Sequence, residues 1–178
     1  MEDVIKQVLV SEEEIAKKVE ELAKKITEDY KGKDLLLVGI LKGSVIFMSA
    51  LAQKIEFPVQ MDFMAVSSYG KSSTSTGEVR INKDLDFSVE DRNLLIIEDI
   101  IDTGYTLGYL IDKLKKRGAK SIKVCTLLDK PDRRKVDINV DYLGFVIPDE
   151  FIVGYGLDYA EQYRNLPYVA ALKEEVYS

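Results

Sequence analysis

The stretch Leu94-Leu95-Ile96-Ile97-Glu98-Asp99-Ile100-Ile101-Asp102-Thr103-Gly104-Tyr105-Thr106-Leu107 decides the fold. Its first four residues form a short continuous apolar run, the pattern of a strand buried on both faces. Two adjacent carboxylates then emerge at the strand's edge. Asp102 to Thr106 leads straight into a helix near 104–117, with Leu107, Leu110, Ile111 and Leu114 at helical spacing and Gly118 at its end. Small and hydroxylated residues at a helix start offer backbone N–H groups at the positive end of the dipole, which suits a phosphate. Paired carboxylates beside them suit ribose hydroxyls or Mg²⁺. Asp102 or Thr103 could also be ordinary helix caps. The whole combination, two acids, a third acid and a hydroxyl-rich turn behind one buried strand, is the uncommon feature.

Working outward, the same alternation recurs. Ser11 and Glu14 form a capping-box pattern ahead of Ile15, Val19, Leu22 and Ile26, predicting a helix over 11–30 that stops near Gly32. Residues 35–41 read as a buried strand. Val45, Met48, Leu51, Ala52 and Ile55 make a helix broken by Pro58, and strands are expected over 59–66 and 122–128. Strands alternating with helices predict an α/β fold, a mostly parallel central sheet flanked by helices. Residues 67–78 are polar and rich in Ser and Thr, a plain loop or an active-site lid. From Asp141 onward short strands and loops are expected to form a small hood. Neither a repeat nor a linker is visible, so residues 1–178 read as a single domain, with a lid near 67–78 and a hood mainly from 141–178.

Composition narrows the chemistry. The 178 residues hold 25 Lys+Arg against 31 Asp+Glu, a net charge of −6, with no histidine, no tryptophan and one cysteine. No Ser-His-Asp or Cys-His nucleophile system and no His-ligated zinc site can be built. Cys125 alone cannot form an internal disulfide and reads as a small buried residue. Acid–base work must fall to Asp, Glu, Lys or Tyr. The acidic balance argues against a general nucleic-acid partner. No signal peptide and no membrane-length apolar run are visible, so a cytoplasmic protein without a membrane partner is expected.

In parallel sheets, ligands gather at the carboxyl ends of strands. The polar groups there are Lys42-Gly43-Ser44, Glu98-Asp99 with the Asp102–Thr106 turn, Asp129-Lys130 and Asp158. The central segment resembles the phosphoribosyl-pyrophosphate motif of the type I phosphoribosyltransferases. Leu41-Lys42-Gly43-Ser44 resembles that family's pyrophosphate loop, and Ser67-Ser68-Tyr69-Gly70 opens a segment like its mobile lid. Leu128-Asp129-Lys130-Pro131, the run from Pro148 to Tyr159, and Tyr163-Arg164-Asn165-Leu166-Pro167 are similar to the purine-binding end of its hypoxanthine-guanine members. The likeness spans nearly the full chain in order.

The resemblance implies a transferase that joins hypoxanthine or guanine to 5-phosphoribosyl 1-pyrophosphate, with Mg²⁺ as cofactor, and a homodimer or homotetramer. Asp102 is then the general base or acid at the purine N7. Thr103, Gly104 and Thr106 would cradle the 5′-phosphate, and Glu98 and Asp99 would face the ribose hydroxyls and metal. Lys42, Gly43 and Arg164 would meet pyrophosphate, and Asp158 would be a second metal contact. Lys130, an obligate donor, suits the purine O6. Phe151 would stack on the ring and Ile152 offer backbone groups, although taken alone either is as readily a core residue. Ser68 and Tyr69 belong to the lid. The likeness also implies a non-proline cis peptide at Leu41–Lys42. Tyr105, Gly108 and Ala170-Ala171 depart from the family pattern. Two rival readings remain on the residues: an RNA-binding regulator using Lys130, Arg133, Arg134 and Lys135 as a basic patch, and a phosphorylation-receiver domain using Glu98, Asp99 and Lys130. A preference for xanthine is a variant of the enzyme reading.

Overall fold

The computed structural model describes residues 1–68 and 79–178. Strand β1 (Ile5–Val10) precedes helix α1 (Glu12–Tyr30), whose start is the expected capping box. Ser11 Oγ accepts from Glu14 N at 3.1 Å, and the Glu14 carboxylate accepts from Ser11 N at 2.8 Å. Ile15, Val19, Leu22 and Ile26 bury one face of the helix, and Gly32, at φ +73°, turns the chain towards the sheet.

Strand β2 (Leu36–Leu41), helix α2 (Val45–Lys54) and strand β3 (Gln60–Ser68) follow. Strand β4 (Val79–Lys83), unforeseen, runs antiparallel to β3 at the sheet edge. Its five residues give too short an alternation to stand out. The turn behind it is pinned by the buried Asp62 carboxylate, which accepts from Asp86 N at 2.8 Å and Phe87 N at 3.0 Å.

Strand β5 spans Asn93–Ile101 and is longer than its apolar run. Glu98, Ile100 and Ile101 stay in register with Thr126, Leu128 and Asp129 of β6 (Ser121–Asp129). The two carboxylates therefore lie within the strand and do not emerge beyond it. Helix α3 (Tyr105–Lys116) connects the two strands, and β7 (Tyr142–Val146) completes a sheet of order β4-β3-β2-β5-β6-β7, parallel except at β4. Alternate strand residues serve opposite faces. Leu37, Leu95, Ile97 and Cys125 pack with α1 and α2. Leu36, Val38, Leu94, Ile96 and Val124 pack with α3. Cys125 is fully buried, and burial pushes its thiol far up from its usual range.

The first strand after Asp141 thus joins the large sheet. The hood is a second sheet of order β1-β9-β8, from β8 (Ile152–Val153), β9 (Val169–Leu172) and the N-terminal β1, followed by a short helix α4 (Glu174–Tyr177). Central strand β9 explains Ala170-Ala171: both are fully buried between β1 and β8. Gly108 has a packing reason too, since a Cβ there would come within 3.1 Å of Val136 Cγ1. Among the described residues no helix is long and apolar enough to cross a membrane.

Replacing Ser11 by Ala removes one arm of the α1 capping box. Chemical denaturation should show a loss of about 1 kcal/mol with an unchanged m-value.

Candidate active site

The carboxyl ends of β2, β5 and β6 converge beneath the hood. After Ile101 the chain turns at Gly104, whose φ of +88° and tight surroundings require glycine: a Cβ would press on Arg134 Cδ, Ile138 Cγ1 and the Val136 carbonyl at 3.1–3.2 Å. Gly104 is the N-cap of α3, and among the described residues no side chain caps the helix. Neither Asp102 nor Thr103 is spent on capping. The turn is held from outside, with the Thr103 carbonyl accepting from Lys135 N at 2.8 Å and Val136 N at 3.2 Å. Glu98, Ile100, Ile101, Asp102, Thr103, Gly104, Thr106 and Leu107 enclose a cavity of about 150 Å³.

Glu98 and Asp99 occupy opposite faces of β5. Glu98 lines the cavity at the start of α3; Asp99 faces the loop after β2. Burial, reinforced by the neighbouring Asp99 charge, raises the Glu98 carboxyl well above its usual range. Burial also pushes Asp99 up to about 6, against the lowering effect of its Ile100 N–H bond. The Leu41–Lys42 peptide is cis, and Gly43 lies so close to the Asp99 carboxylate that any Cβ would overlap it. Gly156 in turn rests on the Gly43 carbonyl. Arg164 donates to the Gly156 carbonyl at 2.7 Å and pairs with Asp158 at 3.1 Å. Lys42 reaches out to Glu161, 2.7 Å away. Among the described residues, no three His, Cys, Asp or Glu side chains gather as a cation site. Glu98, Asp99 and Asp158 are therefore not one cluster. Asp99 and Asp158 remain close enough to sense one another, and hard oxygens of that kind fit a divalent cation that completes its shell with substrate and water.

On the hood side, a cavity of about 520 Å³ is lined by Ile100, Asp102, Lys130, Arg133, Phe151, Ile152, Leu157, Asp158 and Tyr177, among others. Lys130 is buried, and its ammonium donates to the Glu150 carbonyl at 2.6 Å, leaving further donors. Phe151 stacks on Tyr177, with centroids 4.8 Å apart, and meets Tyr159 edge-on at 5.4 Å. Arg133 Nε lies 2.5 Å from Asp102 Oδ1. Asp102 lines this cavity and the smaller one alike.

The chain matches the phosphoribosyl transferase domain family over residues 8–160. It is 60% identical over 178 residues to the hypoxanthine-guanine phosphoribosyltransferase of Streptococcus agalactiae, covering 100% of this chain and 99% of that protein. It is 56% identical to the bifunctional TilS/HprT protein of Listeria monocytogenes, of which it spans 28%. A crystal structure of a hypoxanthine phosphoribosyltransferase from Staphylococcus aureus superposes with a TM-score of 0.97 at 54% identity, covering 100% of this chain and 97% of that one. The chain belongs to the hypoxanthine-guanine phosphoribosyltransferase family.

Membership of this family accounts for the mostly parallel sheet with its hood, the type I phosphoribosyltransferase fold. Three of the four residues of the rival basic patch already have oxygen partners: Lys130 pairs with Glu150, Arg133 with Asp102 and Asp149, and Arg134 with Asp129, while Lys135 is exposed. Of the lid, Ser68 ends β3 and is exposed, while Tyr69 and the rest of 69–78 lie outside the described residues. Tyr105 is exposed and lines a separate groove with Tyr109 and Asp112, on the flank of α3. Sequence reading gave no site role to Glu161 and Tyr177, took Arg133 only as part of a rival basic patch, and passed over Asp149 and Leu157 within the run from Pro148 to Tyr159. Arg133, Asp149 and Leu157 follow closely on strand ends, whereas a turn brings in Glu161 and the short C-terminal helix brings in Tyr177.

Asp99 makes a prediction about pH. With its carboxyl moved from 3.8 to about 6, the folded protein keeps a proton that the unfolded chain has already released, so stability falls as pH rises through that window. Asp99→Asn escapes this loss. Without divalent cations, its stability advantage over the parent should grow between pH 4 and 6, then level off, at a size on the order of 2 kcal/mol. Denaturation curves that stay parallel across that range would exclude Asp99 as the burdened group.

Proposed function

We propose that the protein transfers the phosphoribosyl group of 5-phosphoribosyl 1-pyrophosphate to hypoxanthine or guanine, giving IMP or GMP and pyrophosphate in purine salvage. The observation that carries this reading is the position of Asp102 at the junction of two cavities. One is a small pocket at an uncapped helix start, the other a larger slot walled by an aromatic ring, aliphatic side chains and one ammonium. A glycosidic bond between a phosphorylated sugar and a flat base would form at such a junction.

In this reading the free N–H groups at the start of α3, with the Thr103 and Thr106 hydroxyls and Gly104, bind the 5′-phosphate. Glu98 and Asp99, from either face of β5, hold the ribose hydroxyls. The purine lies against Phe151, with Ile100, Ile152 and Leu157 lining the same slot and Ile152 offering backbone groups. Lys130 donates to O6. The 6-amino group of adenine would present a second donor to that buried ammonium, a mismatch that sites of this kind reject strongly. Asp102 takes or returns the N7 proton, a role worth about 10²–10⁴-fold. Lys42, Gly43 and Arg164 receive the departing pyrophosphate. Asp99 and Asp158 would hold Mg²⁺. When bound, the cation supplies positive charge that offsets the negative charge growing on the leaving group.

The lid of Ser68 and Tyr69, a single functional unit over 1–178 with its hood, a homodimer or homotetramer, and a cytoplasmic setting complete the proposal. The 2-position of the purine is left to backbone groups, so hypoxanthine, guanine and xanthine are to be compared directly.

A steady-state assay with phosphoribosyl pyrophosphate, Mg²⁺ and each of hypoxanthine, guanine, xanthine and adenine tests the reading. Nucleotide should form from the first two and scarcely from adenine. Failure with every base would end the proposal, and a preference for adenine would remove Lys130 from its role. Asp102→Asn should keep the fold and the affinity for the sugar phosphate while kcat drops by about 10²-fold or more.

A further inference from the structure

Glu161 joins both cationic groups to which the proposed function gives pyrophosphate. Its Oε2 lies 2.7 Å from Lys42 Nζ, and its Oε1 lies 3.2 Å from Arg164 Nη2. The two cations come from opposite parts of the molecule, one from the loop after β2 and the other from the hood. A single carboxylate with two oxygens thus spans the pair as two oxygens of a diphosphate would. We propose that Glu161 is a built-in competitor of pyrophosphate for Lys42 and Arg164, one that limits how tightly the site holds the polyanion. This inference rests on the assignment of pyrophosphate to those two residues.

The local backbone supports a specific placement. Tyr159 and Gln162 exchange N–H···O bonds of 3.1 and 3.0 Å, closing a two-residue turn. Its central residues Ala160 and Glu161 have φ of +50° and +63°. Such turns ordinarily take Asn or Gly, because residues with a Cβ rarely adopt that region. Glu161 N donates to Asp158 Oδ2 at 2.9 Å, which fixes the turn to the acid that also pairs with Arg164. Arg164 Nε is buried without a hydrogen-bond partner among the described residues, so the carbonyl and carboxylate contacts of its other nitrogens hold the group in place.

Exposure decides the direction of the effect. The Lys42 and Glu161 side chains are 68% and 64% exposed, so water screens the pair and a multiply charged anion readily displaces it. The turn keeps the displaced carboxylate within a side chain's length of the bound polyanion, where like charges repel. Removing the charge therefore removes both the competition and the repulsion.

The test is calorimetric titration of pyrophosphate with Mg²⁺ into the full-length parent, Glu161→Gln and Glu161→Ala. Both variants should bind about 3- to 10-fold more tightly, with the gain shrinking as salt rises. The KM for phosphoribosyl pyrophosphate should fall in step while the KM for hypoxanthine stays unchanged, a split that a purely structural role would not produce. Unchanged or weaker pyrophosphate binding in both variants overturns the inference. Lys42→Gln and Arg164→Gln separate the two levels. If they leave pyrophosphate binding intact, the underlying assignment fails; if they weaken it while Glu161→Gln gains nothing, only the competitor role fails.

Discussion

The approach of the β2–α2 loop to the Asp99 carboxylate is the contact around which the site is built. Any side chain at Gly43 would overlap that carboxylate, and any at Gly156 would overlap the Gly43 carbonyl. Two glycines from different ends of the chain are therefore stacked above one half-buried acid. Arg164, bonded to the Gly156 carbonyl and to Asp158, clamps the stack from the hood side. The hood is thereby registered against the central sheet at the point where Lys42 and Arg164 both meet Glu161. A side chain at Gly43 would press on Asp99, and one at Gly156 would press the hood off the Gly43 carbonyl.

The net charge of −6 takes on a local meaning here. An acidic chain that handles a polyanion must concentrate its positive groups, and bare cations packed together would repel one another. The structure meets each with an anionic or carbonyl oxygen: Lys42 with Glu161, Lys130 with Glu150, Arg133 with Asp102 and Asp149, Arg134 with Asp129. These contacts hold the cations in position ahead of substrate. Under the proposed function they also set up an exchange, in which substrate oxygens would replace protein oxygens at these cations. The two carboxylates on β5 present the opposite problem. Glu98 is buried and Asp99 half-buried; among the described residues neither forms an ion pair, and their raised proton affinities express that cost.

How much of this was legible in sequence follows from the range of the forces involved. The α1 capping box, the β2 and β5 apolar runs and the start of α3 depend on neighbours within a few residues, so periodicity and cap chemistry expose them. The continuation of β5 through Glu98 and Asp99 was hidden because register with β6, not hydropathy, holds those acids in the strand. The same pairing sends the two acids to opposite faces. Strand β4 owes its place to β3 and to the Asp62 anchor, and β1 to β9 at the other end of the chain. None of these long-range pairings leaves a local signature. Site residues at strand ends could be named by topology alone, whereas Tyr177 and Glu161 could not, because a short C-terminal helix and a strained turn bring them in.

The separation of Glu98 from Asp99 across the sheet also clarifies why the active centre needs a strand to run so far. A strand ending at Ile97 would leave both acids on a flexible edge and able to share one ligand. Held in the sheet, Glu98 faces the helix start and Asp99 faces the glycine stack, so the strand itself becomes the divider between the cavity beside α3 and the loop that carries Lys42. Three residues on, Asp102 leaves the sheet, and its side chain, like that of Ile100, lines both the small cavity and the larger one. The spacing of these acids is thus a geometric requirement. Residues 98 and 99 must differ by one strand position to face opposite ways, and Asp102 must follow the last paired residue, Ile101, to sit between them at the mouth.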